Sequence, residues 1–185
     1  MRKSGSKAKG SAFERIVCRD LSRWISDGQY EKLFNRNVLS GGRFSRAVKS
    51  NETELGLAGD IAAAHPLAYE FLTHCSVECK HYRQLGIEAY MFGAKTCLIA
   101  SALKQAARDC AGAGTYPLVI VKANNRPTLL FLSNNLGAAI VRDSRNRMIP
   151  FHCFHSASIY AFEWEMFMKH VPIQRFLRLV KELQQ

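Results

Sequence analysis

No apolar run in this chain approaches the roughly 18 residues that a bilayer span requires. The longest wholly apolar runs are on the scale of residues 118–121, so a membrane-spanning protein is not expected. The basic start, MRKSGSKAKG, lacks the apolar stretch of a secretory leader. It runs instead into residues 13–25, which carry Glu14, Arg15, Arg19, Asp20 and Arg23. A soluble intracellular protein is expected. Internal repeats are absent, and low complexity is confined to the first ten residues. Six cysteines (18, 75, 79, 97, 110, 153) could suggest cross-links, but disulfide frameworks belong to small exported chains. Cys75 and Cys79 with His152, Cys153 and His155 have some zinc-ligand character. Their spacing is loose, and reduced, packed thiols account for them better.

Acidic residues are also scarce, 15 against 26 Lys and Arg. The deficit is uneven: residues 1–50 hold 12 basic and 4 acidic residues (+8), and the other 135 hold 14 and 11 (+3). A basic excess concentrated in one quarter of a chain is the electrostatic footprint of a polyanion partner. The alternative is a solubilising tail. With 48% hydrophobic residues over 185 positions, the chain can bury a sizeable core as one domain, which excludes a disordered protein.

Residues 1–10 read as a flexible basic arm. Ser11-Ala12-Phe13-Glu14 opens an amphipathic helix to about Ser26, with Phe13, Ile16, Val17, Leu21, Trp24 and Ile25 on one face. Residues 33–39 form a short strand closed by Ser40-Gly41-Gly42. Residues 43–58 have no sustained period, and a connection that long is functional or mobile. Residues 59–64 and 73–81 are expected as two strands of a hairpin through His65-Pro66. A helix over 87–111 follows, stopped by residues 112–114. Residues 116–123 make a continuous apolar strand that pairs with 128–133. Residues 134–185 add one or two short strands and a final helix over 172–183.

The chemistry concentrates in His74-Cys75-Ser76-Val77-Glu78-Cys79-Lys80-His81. Strand alternation puts His74, Ser76, Glu78 and Lys80 on one face and Cys75, Val77 and Cys79 on the other, towards the core. A carboxylate and an ammonium on a strand rich in core residues are either paired or functional. Asp60 supplies a second carboxylate on the neighbouring strand. If the strands pair, Asp60 and Glu78 lie close and repel unless a cation neutralises them. Hard oxygen ligands of this kind suit Mg2+ or Mn2+. Lys80 beside such an ion is placed to orient a water or stabilise charge on a phosphate. The plainer alternative is a surface Glu–Lys pair on an edge strand.

The order KGSAFER (9–15), LSGG (39–42), GDI (59–61), VECKHY (77–82), then helix, resembles the PD-(D/E)XK nuclease superfamily. The nearest likeness is to archaeal-type Holliday junction resolvases and related phage-encoded endonucleases. The resemblance covers residues 9–133 and implies an α/β protein: a restriction-endonuclease-like αβββαβ core with a mixed central sheet, residues 134–185 packing on it as a C-terminal extension. It implies Asp60 and Glu78 as metal-binding acids, Cys79 as a ligand through its backbone carbonyl, Lys80 as the catalytic lysine and Glu14 as the first-helix acid. It also matches Ser40 to a serine of the resolvase loop and Gln105 to a helix glutamine. Gly59 stands where the family often has proline, a departure expected to matter little. The implied activity is Mg2+-dependent cleavage of branched DNA by a two-fold dimer. Lys9, Arg36, Ser40, Arg43, Arg46, Lys49 and His81 would then contact DNA, mostly its phosphates. Another nuclease of the superfamily, or a basic nucleic-acid-binding protein on the same scaffold, would share these features.

Other residues stay open. Ser11-x-x-Glu14 also reads as a capping box, although Glu14 falls among the apolar positions of the helix. Asp20 lies within the same stripe and competes with it as the first-helix acid. Lys122 either reaches the site or marks its strand's end. Arg142, Arg145 and Arg147 form a phosphate stripe or an ordinary turn, and His152 and His155 read as strand-face residues.

Overall fold

The computed structural model describes residues 4–37, 59–86, 98–143, 151–154 and 159–185. Helix α1 (Ser4–Ile25) starts seven residues before the expected Ser11, so the described part of the basic arm is helical. Lys7, Ala8 and Lys9 are good helix formers, and a helix nucleated on an apolar face propagates cheaply past its end. Ser11 therefore lies inside α1, and the capping box forms no terminus there. Phe13, Val17, Cys18 and Leu21 are buried, whereas Ile16, expected inward, is 49% exposed.

Strands β1 (Phe34–Arg36) and β2 (Ile61–Ala63) make a two-stranded antiparallel ribbon. β2 does not turn back into the next strand as the expected hairpin. The His65 side chain accepts the Leu67 N–H at 3.2 Å, Pro66 opens a 3-10 turn, and helix α2 (Tyr69–His74) follows, burying Phe71 and Leu72. Gly59 meets Val77 in a parallel bridge, and parallel neighbours need a crossover rather than a tight turn. His74 consequently ends α2 instead of joining the strand face, its Nδ1 lying 2.6 Å from Gln184 Oε1.

Strand β3 (Cys75–Tyr82) opens the main sheet. After it come α3 (Leu98–Ala113), β4 (Tyr116–Ala123), β5 (Leu129–Ser133), α4 (Asn134–Asp143), β6 (Phe151–Phe154), β7 (Ile159–Glu163), α5 (Trp164–His170) and α6 (Ile173–Gln184). The order in space is β3-β4-β5-β7-β6, with β3 and β4 parallel and the other pairs antiparallel. The expected α-β-β-β-α-β succession is therefore present, in the restriction-endonuclease-like arrangement. Residues 134–185 do more than pack on that core, because β7 pairs along the whole of β5 and enters the sheet. Pairing covers an apolar edge that would otherwise invite association. The helices α4 and α5 were not expected, and the final helix lies one residue from its expected place.

The sheet has two dressed faces. Cys75, Val77, Cys79, Leu118, Ile120, Leu130 and Phe162 belong to a large core with α1, α2 and α6. Val119, Val121, Phe131 and Ala161 pack instead with Ile99, Ala102 and Ala106 of α3. Glu78 pairs with Val119 and Lys80 with Val121, so both project to the α3 side.

Candidate active site

Gly59 and Asp60 are stitched to the outer edge of β3. The Asp60 N–H donates to Val77 O at 2.8 Å, and the Cys79 N–H donates to Asp60 Oδ2 at 2.8 Å. Asn37, 4% exposed, holds the turn from behind: its N–H donates to Asp60 O at 2.7 Å and its Nδ2 to Gly59 O at 3.1 Å. Gly59 has φ +87°, and a Cβ there would stand 2.5 Å from Val77 O and 2.7 Å from Ser76 Oγ. The glycine is thus required by both its backbone conformation and the close approach. Proline, with φ fixed near −65°, could not replace it in this turn, so the departure at Gly59 matters.

Glu78 is 4% exposed, and its carboxylate accepts a hydrogen bond from Lys80 Nζ. Burial and then the charge of Asp60 push its carboxyl from 4.5 up to about 7, with Lys80 pulling the other way. Burial alone would lower the Lys80 ammonium, but its bond to Glu78 and the charges of Glu78 and Asp60 hold it above its ordinary value. Lys80 is therefore a cation at neutral pH, fitted to stabilise negative charge rather than to accept a proton. Asp109 of α3 adds a further negative charge near Glu78.

Glu14 sits on the other side of β3. Its carboxylate takes Arg36 Nε in an ion pair, and its charge acts on the thiols of Cys18 and Cys79. Asp20 points elsewhere, accepting Trp164 Nε1 at 3.2 Å, and burial raises its carboxyl. Of the two first-helix acids, Glu14 is the one beside β3. Burial drives Cys18 to about 12 and Cys75 and Cys79 well above the ordinary thiol range. These are packed thiols, Cys75 and Cys79 as read from strand alternation.

Among the described residues, no three His, Cys, Asp or Glu side chains converge on one point as a metal cage. The donor set at β3 is smaller: two carboxylates, Asp60 and Glu78, and the Cys79 backbone carbonyl. That set fits Mg2+ or Mn2+, which take one or two carboxylates and keep several waters. The electrostatics favour a cation as well, since the charge of Asp60 helps to raise the Glu78 carboxyl against the pull of Lys80.

A family model described as phage putative PDDEXK endonuclease matches residues 5–176. The chain belongs to that family. No curated protein and no solved structure matches it. The match to this PDDEXK family extends through α4, β6, β7 and α5, which accords with β7 lying inside the sheet. By its description, this PDDEXK family is one of endonucleases.

The remaining expected residues divide. Gln105 lies on α3, half-buried, one turn from Asp109. His81 Nε2 is 3.1 Å from Asn124 Oδ1 and its ring stacks at a tilt on Phe13, 5.8 Å between centroids. Lys9 is exposed on α1. Lys122 donates to Arg126 O at 2.6 Å, marking the strand's end. Arg142 lies in the last turn of α4. Ser40, Arg43, Arg46, Lys49, Cys97, Arg145, Arg147 and His155 lie outside the described residues, as do the 43–58 connection and the side chains of His152 and Cys153. Two features escaped the sequence reading. Asn37 is one, and its only signal was an amide at the end of an apolar strand. The other is a groove of about 590 Å3 where Arg15, Arg19, Lys32 and Arg36 outnumber one acid, Glu31, with Arg36 ion-paired to Glu14.

Proposed function

We propose that this chain is a divalent-metal-dependent, structure-selective DNA endonuclease of the Holliday junction-resolving type. The observation that carries the reading is the meeting of Asp60, Glu78 and Lys80 at the edge of β3 in a chain of the PDDEXK endonuclease family. Asp60 and Glu78 would hold Mg2+ or Mn2+ with the Cys79 carbonyl, while Glu14, ion-paired with Arg36 on the other side of β3, stands outside this set. A divalent ion held there supplies Lewis acidity towards a phosphodiester and acidifies a water. Lys80, cationic beside Glu78, orients the attacking water and stabilises charge growing on the phosphate. Burial keeps that charge–charge interaction stronger than it would be in bulk water.

Substrate binding rests on backbone contacts. The groove lined by Arg15, Arg19, Lys32 and Arg36 holds four cations against one acid, Glu31, which Arg23 pairs, and suits a row of phosphates. Symmetric cutting of a branched substrate requires two sites, hence a two-fold dimer. The test is one gel with Mg2+ comparing a four-way junction, a linear duplex and single-stranded DNA of matched sequence. Selective cutting of the junction, lost in Glu78→Ala, is the expected result. Equal cutting of junction and duplex would retain the nuclease and remove the resolving assignment; no cutting of any substrate would remove both.

A further inference from the structure

Past Lys80, at the carboxyl ends of the parallel strands β3 and β4, lies a recess of about 570 Å3 that none of the chemistry above uses. Arg83 and Gln84 rim it from the end of β3, Asn124 and Arg126 from the turn between β4 and β5, and Leu85 and Leu129 wall it. Among the described residues no carboxylate lines it, and neither arginine is ion-paired. The turn is braced: Lys122 Nζ donates to Arg126 O at 2.6 Å and His81 Nε2 lies 3.1 Å from Asn124 Oδ1. Two guanidiniums are thus presented at one rim, Arg126 from a braced turn, with no acid paired to either among the described residues. Such a pair suits a phosphate group.

The recess also faces the right way. Lys80 pairs with Val121, and Val121 with Leu129. The three side chains therefore stand in one row on one face of the sheet. Two strand spacings, roughly 10 Å, separate Lys80 from the Leu129 wall. Tyr82, Leu85 and Leu129 all pack on the same apolar cluster beneath α3. A strand whose phosphate lies at Lys80 would carry a neighbouring nucleotide over this opening.

We propose that the recess receives one unpaired nucleotide of a nucleic-acid strand, its phosphate on Arg83 and Arg126 and its base against Leu85 and Leu129. The volume is of the size that takes a small organic group. The apolar walls decide between paired and unpaired strands. In a duplex the base faces are already stacked and cannot enter a recess, whereas an unpaired base offers a free face. The inference rests on the nuclease reading in taking the polyanion to be nucleic acid, and it names what a structure-selective enzyme would select: an unpaired strand next to the cut.

The test uses the full chain in EDTA, where binding is read without cleavage, by fluorescence anisotropy. The probes are a labelled oligothymidylate, an abasic strand of equal length and a blunt duplex. The wild type should bind oligothymidylate about tenfold or more tighter than the abasic strand, as a docked base requires. Arg83→Ala/Arg126→Ala should weaken oligothymidylate binding roughly tenfold and flatten its salt dependence by about 0.7 in log–log slope for each phosphate that the protein no longer neutralises. Duplex affinity should stay within about threefold. Both arginines are exposed, so folding should be unchanged by circular dichroism. Equal losses on duplex and single strand, no loss on either, or equal wild-type affinity for the abasic strand would each overturn the proposal. If the pattern holds but the wild type cuts no DNA, the recess stands and the nuclease reading falls. If the wild type cuts branched DNA and the pattern fails, the reverse follows.

Discussion

On one face of β3, Cys75, Val77 and Cys79 are 1%, 0% and 7% exposed against α1, α2 and α6; on the other, Ser76 and Glu78 are just as dry, at 5% and 4%. Equal burial has opposite energetic meaning on the two faces. Each apolar side chain gains about 25 cal/mol per Å2 of apolar area removed from water. A buried carboxylate costs several kcal/mol unless it is paired. Lys80 pairs Glu78, while burial and the charge of Asp60 still raise its carboxyl. One face therefore holds the fold together, and the other spends stability on keeping a carboxylate dry beside its ammonium. Substitutions should separate the two faces cleanly.

The largest effects belong to the polar face. Asp60→Asn and Glu78→Ala should each lower cleavage of a four-way junction by more than about a thousandfold, since both ligand and charge are lost. Each should also abolish the thermal stabilisation that Mn2+ gives the wild type by mass action, about 2.7 kcal/mol at a hundred times the dissociation constant. Lys80→Ala should separate binding from chemistry. Removing a neighbouring cation leaves Mn2+ stabilisation intact or stronger, while cleavage falls by roughly 10²–10³. A Lys80→Ala enzyme cutting at the wild-type rate would return the lysine to the status of a surface residue.

Gly59 tests whether the turn, and not only the acid, makes the site. At φ +87° with 2.5 Å to Val77 O, Gly59→Ala should cost about 1–3 kcal/mol in denaturant unfolding. It should also reduce cleavage more than that instability explains, because Asp60 moves with the turn. This requirement was hidden in the sequence. A glycine before an aspartate reads as any turn, and its contact lies across 18 residues of chain. Asn37 was hidden for the same reason, its partners being Gly59 and Asp60. Local signals did better. The alternation of 75–80 correctly placed Glu78 and Lys80 opposite the cysteines, and the apolar run at 116–123 correctly gave a buried strand. The expected hairpin failed because Pro66 and the His65 cap start a helical turn, and a helix over Tyr69–His74 fills the connection between the two strands. β7 was expected only as an unplaced short strand. Its place between β5 and β6 depends on pairing alone.

Burial of Glu78 also makes stability depend on pH. Folding raises the Glu78 carboxyl from 4.5 to about 7, first through burial and then through Asp60. Between those values the folded state holds a proton that the unfolded chain has released. The stability associated with that proton is complete below about pH 4.5 and is lost as pH rises through about 7. The metal-free protein should therefore lose a few kcal/mol across this window, read as a falling melting temperature. Glu78→Gln should remove the slope. Adding Mn2+ should stabilise the protein more as pH rises, because the ion competes with the proton for the same carboxylate. A melting temperature that climbs steadily from pH 4.5 to 7 without metal would contradict the burial of Glu78.

The smallest effect should come from the residue between the two, Cys79. Its side chain belongs to the apolar face and its thiol is pushed far above neutrality by burial, so it is neither a nucleophile nor a thiolate ligand. What it offers the site is backbone: its N–H is held by Asp60 Oδ2 at 2.8 Å, and its carbonyl is the proposed ligand. Cys79→Ala keeps both and removes one sulfur from the apolar core that β3 shares with α1. Stability should drop by about 1 kcal/mol, the scale of a small buried apolar group. Junction cleavage should stay within about twofold of wild type. Cys79→Ser has the same shape but buries a hydroxyl in that apolar core, and should cost about 1–3 kcal/mol more unless it finds a partner. Both variants should keep the Mn2+ stabilisation. Cleavage falling a hundredfold in Cys79→Ala, with folding intact, would mean that the two faces are not separable and that the apolar side of β3 takes part in the chemistry.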